Sequence, residues 1–107
     1  MIIYNVTVNI EESIHEEWLS WIKNHIPEVL ATGKFKDARL TKVLVEEEMG
    51  GVTYAVQYRA KSREDLDNYY KFDADKLKQE ALLKFADKML AFRTELEIID
   101  EYFVTQN

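Results

Sequence analysis

Residues 25–35 read HIPEVLATGKF, and this stretch determines how the first helix of the chain returns to a strand. It follows a segment with both tryptophans and contains the only proline and one of three glycines. Proline disfavours helical geometry at the preceding residue, so we predict that the first helix stops or kinks near Ile26. One more helical turn should follow, with Gly33 in the left-handed position beyond its end.

Alternation of side chains with period two predicts strands on either side of this helix. The clearest case is residues 2–10, where one face carries Ile2, Tyr4, Val6, Val8 and Ile10. Residues 52–60 alternate in the same way, and residues 38–47 and 92–104 do so less regularly. Gly50 and Gly51 lie between two of these runs and suit a hairpin loop.

Helical spacing and capping residues predict two helical regions. Ser13 with Glu16 reads as a capping box, and Ser62 with Asp65 marks a second helix start. The first helix should place on one face Ile14, Trp18, Trp21, Ile22 and His25. The second region should likewise have one apolar face, formed by Leu77, Ala81, Phe85 and Met89. The residues 73–75 between Ser62 and this run should break or re-cap the helix.

The resulting order is β–α–β–β–α–β, which predicts an α+β, ferredoxin-like domain over residues 1–107. Its four-stranded antiparallel sheet should carry the helices on one face. The chain has no cysteine, which excludes disulfides and thiolate catalysis. We expect a cytoplasmic protein, because the start of the chain shows no secretory signal and no window is apolar enough to span a membrane. The net charge of −6 argues against nucleic acid as a partner.

The sheet face without helices is unusually poor in charge. We expect it to carry Ile3, Asn5, Thr7, Asn9, Thr41, Val43, Val45, Thr53, Ala55, Gln57 and Arg59, joined by Glu95, Glu97 and Ile99 of the last strand. A mixture of Asn, Thr, Val and Ala is typical of a half-buried surface. We therefore predict a homodimer through this helix-free face, since two-fold dimers are the commonest oligomers. The alternative is a solvated sheet face.

The element order, the tryptophan-bearing helix with HIPEVLATGKF, and the late segment FRTELEI resemble the dimeric α/β-barrel superfamily. Within it, they are similar to a small group of bacterial single-domain proteins of unknown function. The resemblance implies two ferredoxin-like sheets forming a barrel, with a cavity between sheet and helices or inside the barrel. Relatives include cofactor-independent monooxygenases, haem-degrading enzymes, lactone isomerases and ligand-sensing modules. Haem-degrading and quinol-oxidising members use an Asn on the first strand with a later Trp and His, and only Asn5 matches that pattern.

Asn5, Gln57 and Arg59 form the best polar group for ligand binding. They should converge on neighbouring strands, where the guanidinium of Arg59 would hold a carboxylate and the amides would bind polar groups. The alternative is an ion pair of Arg59 with Glu95 or Glu97.

His25 and Trp21 are the remaining ligand-binding candidates, with core packing as the alternative for both. At the end of the first helix, His25 would cap carbonyls or titrate near neutral pH. We expect His15 to be solvated. The two histidines lie too far apart on the helix to share a metal, so no metal site is predicted, and no cofactor is implied.

The function predicted from sequence is a binding or structural homodimer for a small organic ligand. The alternative is a cofactor-independent enzyme, monooxygenase- or isomerase-like, that uses Asn5 and Arg59 with His25 as acid or base. The lack of a Trp and a His in the second half of the chain favours the binding module over the enzyme.

Overall fold

The computed structural model describes residues 1–48 and 50–105 of the chain. The elements, in order, are β1 (Ile2–Ile10), a 3₁₀ turn (Glu12–Ile14), α1 (His15–Leu30), β2 (Phe35–Lys42), β3 (Val52–Ala60), α2 (Arg63–Phe72), α3 (Ala74–Phe85), a second 3₁₀ turn (Ala86–Lys88) and β4 (Met89–Glu97). The four strands form one antiparallel sheet in the order β2-β3-β1-β4. This confirms the predicted ferredoxin-like fold.

The helix α1 continues through Pro27 to Leu30, so it does not stop near Ile26, and the further helical turn predicted after Pro27 is the end of the same helix. Pro27 lies in the last turn, and Val29 beyond it is only 1% exposed. Burying a valine stabilises by roughly 1.5–3 kcal/mol. That gain offsets much of the cost of a proline inside a helix, about 3 kcal/mol. Gly33 has φ of 79°, which confirms the left-handed position after the helix.

The two predicted helix starts differ in outcome. Ser62 caps α2 as expected, since its hydroxyl oxygen accepts a hydrogen bond from the Asp65 backbone N–H at 3.1 Å. Ser13 does not cap α1, because it lies in the first 3₁₀ turn and donates to the Glu11 carboxylate at 3.3 Å. The helical region after Ser62 is divided at Asp73 into α2 and α3.

The core lies between the helices and the helix-facing side of the sheet. Trp18 of α1, Ile10 of β1 and Leu66 of α2 are fully buried. An aromatic cluster sits at one end, and it contains Tyr4, Phe35, Tyr58 and Tyr69. The central strands β1 and β3 therefore present to the helices the same side chains that their alternation predicts.

The last strand faces opposite to the prediction. Tyr4 pairs with Glu95 and Val6 with Arg93, so Glu95 and Glu97 lie on the helix side of the sheet. The open face receives Leu90, Phe92, Thr94 and Leu96 instead. β4 is an edge strand, and Arg93, Glu95 and Glu97 on its helix side are exposed. The open face is thus more apolar than the sequence suggested.

Among residues 1–48 and 50–105, no helix is long and apolar enough to cross a membrane.

Candidate functional site

The five predicted ligand-binding residues lie on two sides of the sheet. Asn5, Gln57 and Arg59 are on the open face, because they alternate with the buried residues of β1 and β3. His25 and Trp21 are on α1 and contact the core side. The sheet separates the two groups within one chain.

The open-face group comes together only in part. Asn5 and Gln57 are direct partners in the β1–β3 register, and Arg59 lies two residues further along β3. Arg59 is engaged by Asp37 of β2: its Nε donates to Asp37 Oδ1 at 2.7 Å, and its Nη2 donates to the other oxygen. These hydrogen bonds lower the pKa of the Asp37 carboxyl. The expected pair of Arg59 with Glu95 or Glu97 is therefore replaced by a pair with Asp37.

The described part of the chain has a cavity of about 60 Å³ between the sheet and the helices. One water needs roughly 10–15 Å³, so this space holds several waters or a short aliphatic chain. Its walls are mostly apolar: Val6, Val8, Trp18, Trp21, Ile22, Val29, Val56, Leu77, Ala81, Met89 and Ala91. Its polar lining consists of Tyr4, His25, Tyr58, Tyr69, Lys78 and Arg93. Of the five predicted residues, His25 and Trp21 line this cavity.

His25 is held between an aromatic ring and a carboxylate. Its imidazole stacks on Trp21 with ring centroids 4.4 Å apart, and Nδ1 lies 3.6 Å from Glu80 Oε2 of α3. Burial lowers the pKa of His25, and the carboxylate of Glu28 opposes that shift only in part. Nδ1 lies too far from Glu80 Oε2 for a hydrogen bond, so the charged ring gains no such bond from Glu80. His25 is therefore neutral at pH 7.

Two buried ring nitrogens near the cavity have no hydrogen-bond partner among the described residues: Trp18 Nε1 and His25 Nδ1. Trp18 is fully buried and can only donate from this atom. Leaving a buried donor unsatisfied costs about 1–3 kcal/mol. Both residues line the cavity, so an acceptor placed inside it would be the natural partner of Trp18.

The cavity lining contains two positively charged side chains, Lys78 and Arg93. Of the described residues that line the cavity, only Arg93 is exposed, while Lys78 of α3 is half-buried. The Arg93 Nε donates to the Tyr4 hydroxyl oxygen at 3.0 Å. The pKa of Lys78 is lowered, first by burial and then by the charge of Arg93. The sequence prediction missed both cations, because it placed the charged residues Glu95 and Glu97 of β4 on the wrong face and because helical spacing does not tell a lysine at a cavity from a solvated one.

His25, Glu28 and Glu80 offer donor atoms that lie within 4.8 Å of one another. Glu28 is exposed and Glu80 comes from α3, so spacing along α1 alone does not reveal this group. The predicted lack of a metal site stays a prediction.

His15 differs from expectation. It is half-buried, and its Nε2 lies 2.6 Å from the Tyr54 hydroxyl, where a hydrogen bond joins α1 to β3. The side chain of His15 therefore makes a structural contact and is not solvated as predicted.

Solved structures with the same fold show little sequence similarity. A dimeric ferredoxin-like protein from an uncultured marine organism matches with a TM-score of 0.72 and 12% identity over 94% of this chain and 97% of its own. A Deinococcus radiodurans protein, provisionally described as an antibiotic biosynthesis monooxygenase, matches with a TM-score of 0.60 and 10% identity over 99% and 100%. A dimeric ferredoxin-like protein of unknown function from Thermobifida fusca matches with a TM-score of 0.52 and 9% identity, over 89% of this chain and 92% of its own. Such similarity shows the fold alone.

No curated protein matches the chain significantly. A family model described as a domain of unknown function, DUF4286, matches residues 1–99. The chain therefore belongs to the DUF4286 family.

Proposed function

We propose that this protein is a homodimeric binding module that holds a small organic ligand in the cavity between sheet and helices. The observation that carries the proposal is that Trp18 belongs to the lining of an apolar cavity, while its buried indole N–H lacks an acceptor among the described residues. A cavity with mostly apolar walls and a few polar groups is typical of a small-molecule site. A bound molecule with one acceptor atom would satisfy that donor.

The partner proposed for the open sheet face is a second copy of this chain. Three large apolar side chains are exposed there, Leu90 at 48%, Phe92 at 58% and Leu96 at 41%. Around them lie short polar residues such as Asn5 and Thr7, which pair readily across an interface. Two proteins of the same fold are dimeric, which supports the proposal. In this arrangement Asn5, Gln57 and Arg59 belong to the interface or to the interior of the barrel.

An enzyme remains the second candidate, on the observation that the neutral imidazole of His25 lines the cavity. A neutral imidazole is able to accept a proton from a bound molecule. Such an enzyme would not use Asn5 and Arg59 of the same chain together with His25, since the sheet separates them. The single ferredoxin-like domain over residues 1–107, the bacterial origin and the cytoplasmic location stay predictions that accompany this proposal.

Native mass spectrometry of protein purified from its own host tests the binding proposal. We expect a dimer that carries an additional small-molecule mass. The substitution Ala91→Val adds two methyl groups to the cavity wall and should remove that mass. Its matched control is Ala38→Val on β2, which is half-buried outside the cavity lining and should keep it. A ligand-free wild-type protein, or equal retention by both variants, would contradict the proposal.

A further inference from the structure

We infer that the ligand of this cavity is a small monocarboxylate, with its carboxylate between Lys78 and Arg93 and, inside, a mostly aliphatic part that carries the acceptor for the Trp18 N–H. The inference rests on the proposed function, which gives the cavity a ligand but not its charge. It names the chemical class of that ligand.

The first step is the presence of two positive charges in the lining of the same cavity. Lys78 comes from α3 and Arg93 from β4, and both line the cavity. They are close enough for Arg93 to lower the pKa of Lys78. Because Lys78 is half-buried, repulsion between its charge and that of Arg93 is unfavourable, and an anion between them would relieve it. The site is therefore arranged for a negative group.

The second step concerns the neighbouring carboxylates. No ion pair joins Lys78 or Arg93 to an acid among the residues that the structure describes. Glu95, two residues after Arg93, accepts from Arg63 at 2.6 Å and from the Tyr70 hydroxyl at 2.6 Å. Asp75 raises the pKa of Lys78 only weakly compared with burial and Arg93. The protein itself leaves the two cations available.

The third step concerns the shape of the anion. Arg93 uses its Nε for the Tyr4 hydroxyl oxygen, and this contact orients the guanidinium. The Tyr4 hydroxyl in turn has its own hydrogen to donate. A planar carboxylate accepts hydrogen bonds from guanidinium, ammonium and hydroxyl donors at the same time. The cavity volume of about 60 Å³ then limits the rest of the molecule to a short, mostly apolar chain.

The test compares hexanoate with hexanamide, which has the same chain length and no charge. Titration is followed by calorimetry and by the indole N–H signal of Trp18 in ¹H–¹⁵N spectra. We expect hexanoate to bind at least tenfold more tightly than hexanamide and to shift the Trp18 signal. The double variant Lys78→Gln/Arg93→Gln should bind the two probes equally. Lys78→Arg should retain the preference for the carboxylate.

The matched control is Lys23→Gln/Lys61→Gln, which removes two exposed charges outside the cavity lining and should keep the wild-type preference. Circular dichroism confirms that each variant folds. The inference is overturned if wild-type protein binds both probes equally, if it binds neither, or if the glutamine double variant keeps the preference. The proposed function fails separately, when protein from the host carries no ligand and Ala91→Val has no effect on retained mass.

Discussion

The imidazole of His25 lies flat against the indole of Trp21, with ring planes 21° apart, on the cavity side of α1. Burial in this position lowers the pKa of His25 relative to the unfolded chain. The folded protein therefore contains the neutral ring, and the unfolded chain takes up a proton more readily near pH 6. The resulting contribution to stability is present above the unfolded pKa of about 6.5 and is lost as the pH falls through the folded pKa.

We expect the free energy of unfolding of the wild-type protein, measured with urea, to decrease when the pH is lowered from 7.5 to 5.5. The same change of pH should affect His25→Phe less. Phenylalanine keeps an aromatic ring against Trp21 and does not titrate. The matched control His15→Gln removes the other histidine of α1 and should leave the His25 contribution in place. Equal pH dependence of wild type and His25→Phe would show that burial does not disfavour the charged ring.

The open sheet face should lose its partner when a charge is placed at its apolar centre. Phe92→Asp puts a carboxylate where a second chain is proposed to pack, and an unpaired buried charge is costly. Light scattering after size exclusion, at tens of micromolar protein, should give the mass of a monomer. Leu83→Asp changes an equally apolar side chain, 82% exposed on α3, and should leave a dimer. If the Phe92→Asp protein is still a dimer, the interface does not lie on the open face.

The hydroxyl of Ser62 should be worth a measurable amount of stability. Ser62→Ala removes the acceptor of the Asp65 N–H bond at the start of α2. We expect the free energy of unfolding to fall by about 1 kcal/mol, within the range of about 0.5–2 kcal/mol for N-caps. Ser20→Ala, at an exposed interior position of α1, should be neutral or slightly stabilising. A Ser62→Ala protein as stable as the wild type would mean that water replaces the cap.

Acid should weaken the contact between α2 and β4. Arg63 and then the Tyr70 hydroxyl donate to Glu95 and lower the pKa of its carboxyl to about 2. The contribution of this carboxylate to stability is complete above the unfolded pKa near 4.5 and disappears as the pH falls towards 2. Glu95→Gln should therefore flatten the loss of stability between pH 5 and 2.5. Glu48→Gln, in an exposed loop, should follow the wild type.

The central strands β1 and β3 were predictable because both of their faces follow one local pattern. In each strand, buried residues alternate with half-buried or polar ones, and neighbouring strands cover both edges. The edge strand β4 was not predictable in the same way. Both faces of β4 are largely exposed, so the charges of Glu95 and Glu97 do not distinguish the helix side from the open face. Only the pairing of Tyr4 with Glu95 shows which face is which.

The cavity was harder to predict from the sequence than the strands. Trp21 and His25 were recognised from helical spacing, since they share one face of α1. Lys78 and Arg93 were not, because nothing in the local pattern tells a lysine at a cavity from a solvated one. Their proximity depends on how α3 crosses the sheet and on the register of β4. The path of α1 through Pro27 likewise depends on the burial of Val29, which is a tertiary contact.

Because its side chains alternate, β4 contributes to the ligand cavity on one side of the sheet and to the proposed dimer interface on the other. Met89, Ala91 and Arg93 line the cavity, while Leu90 and Phe92 between them lie on the open face. A shift of this strand therefore changes both sides at once. If an occupied cavity tightens association of two chains by some factor, association must tighten binding in the cavity by the same factor. Protein concentration then acts as an effector of ligand affinity, and a dilute sample would release its ligand as it dissociates.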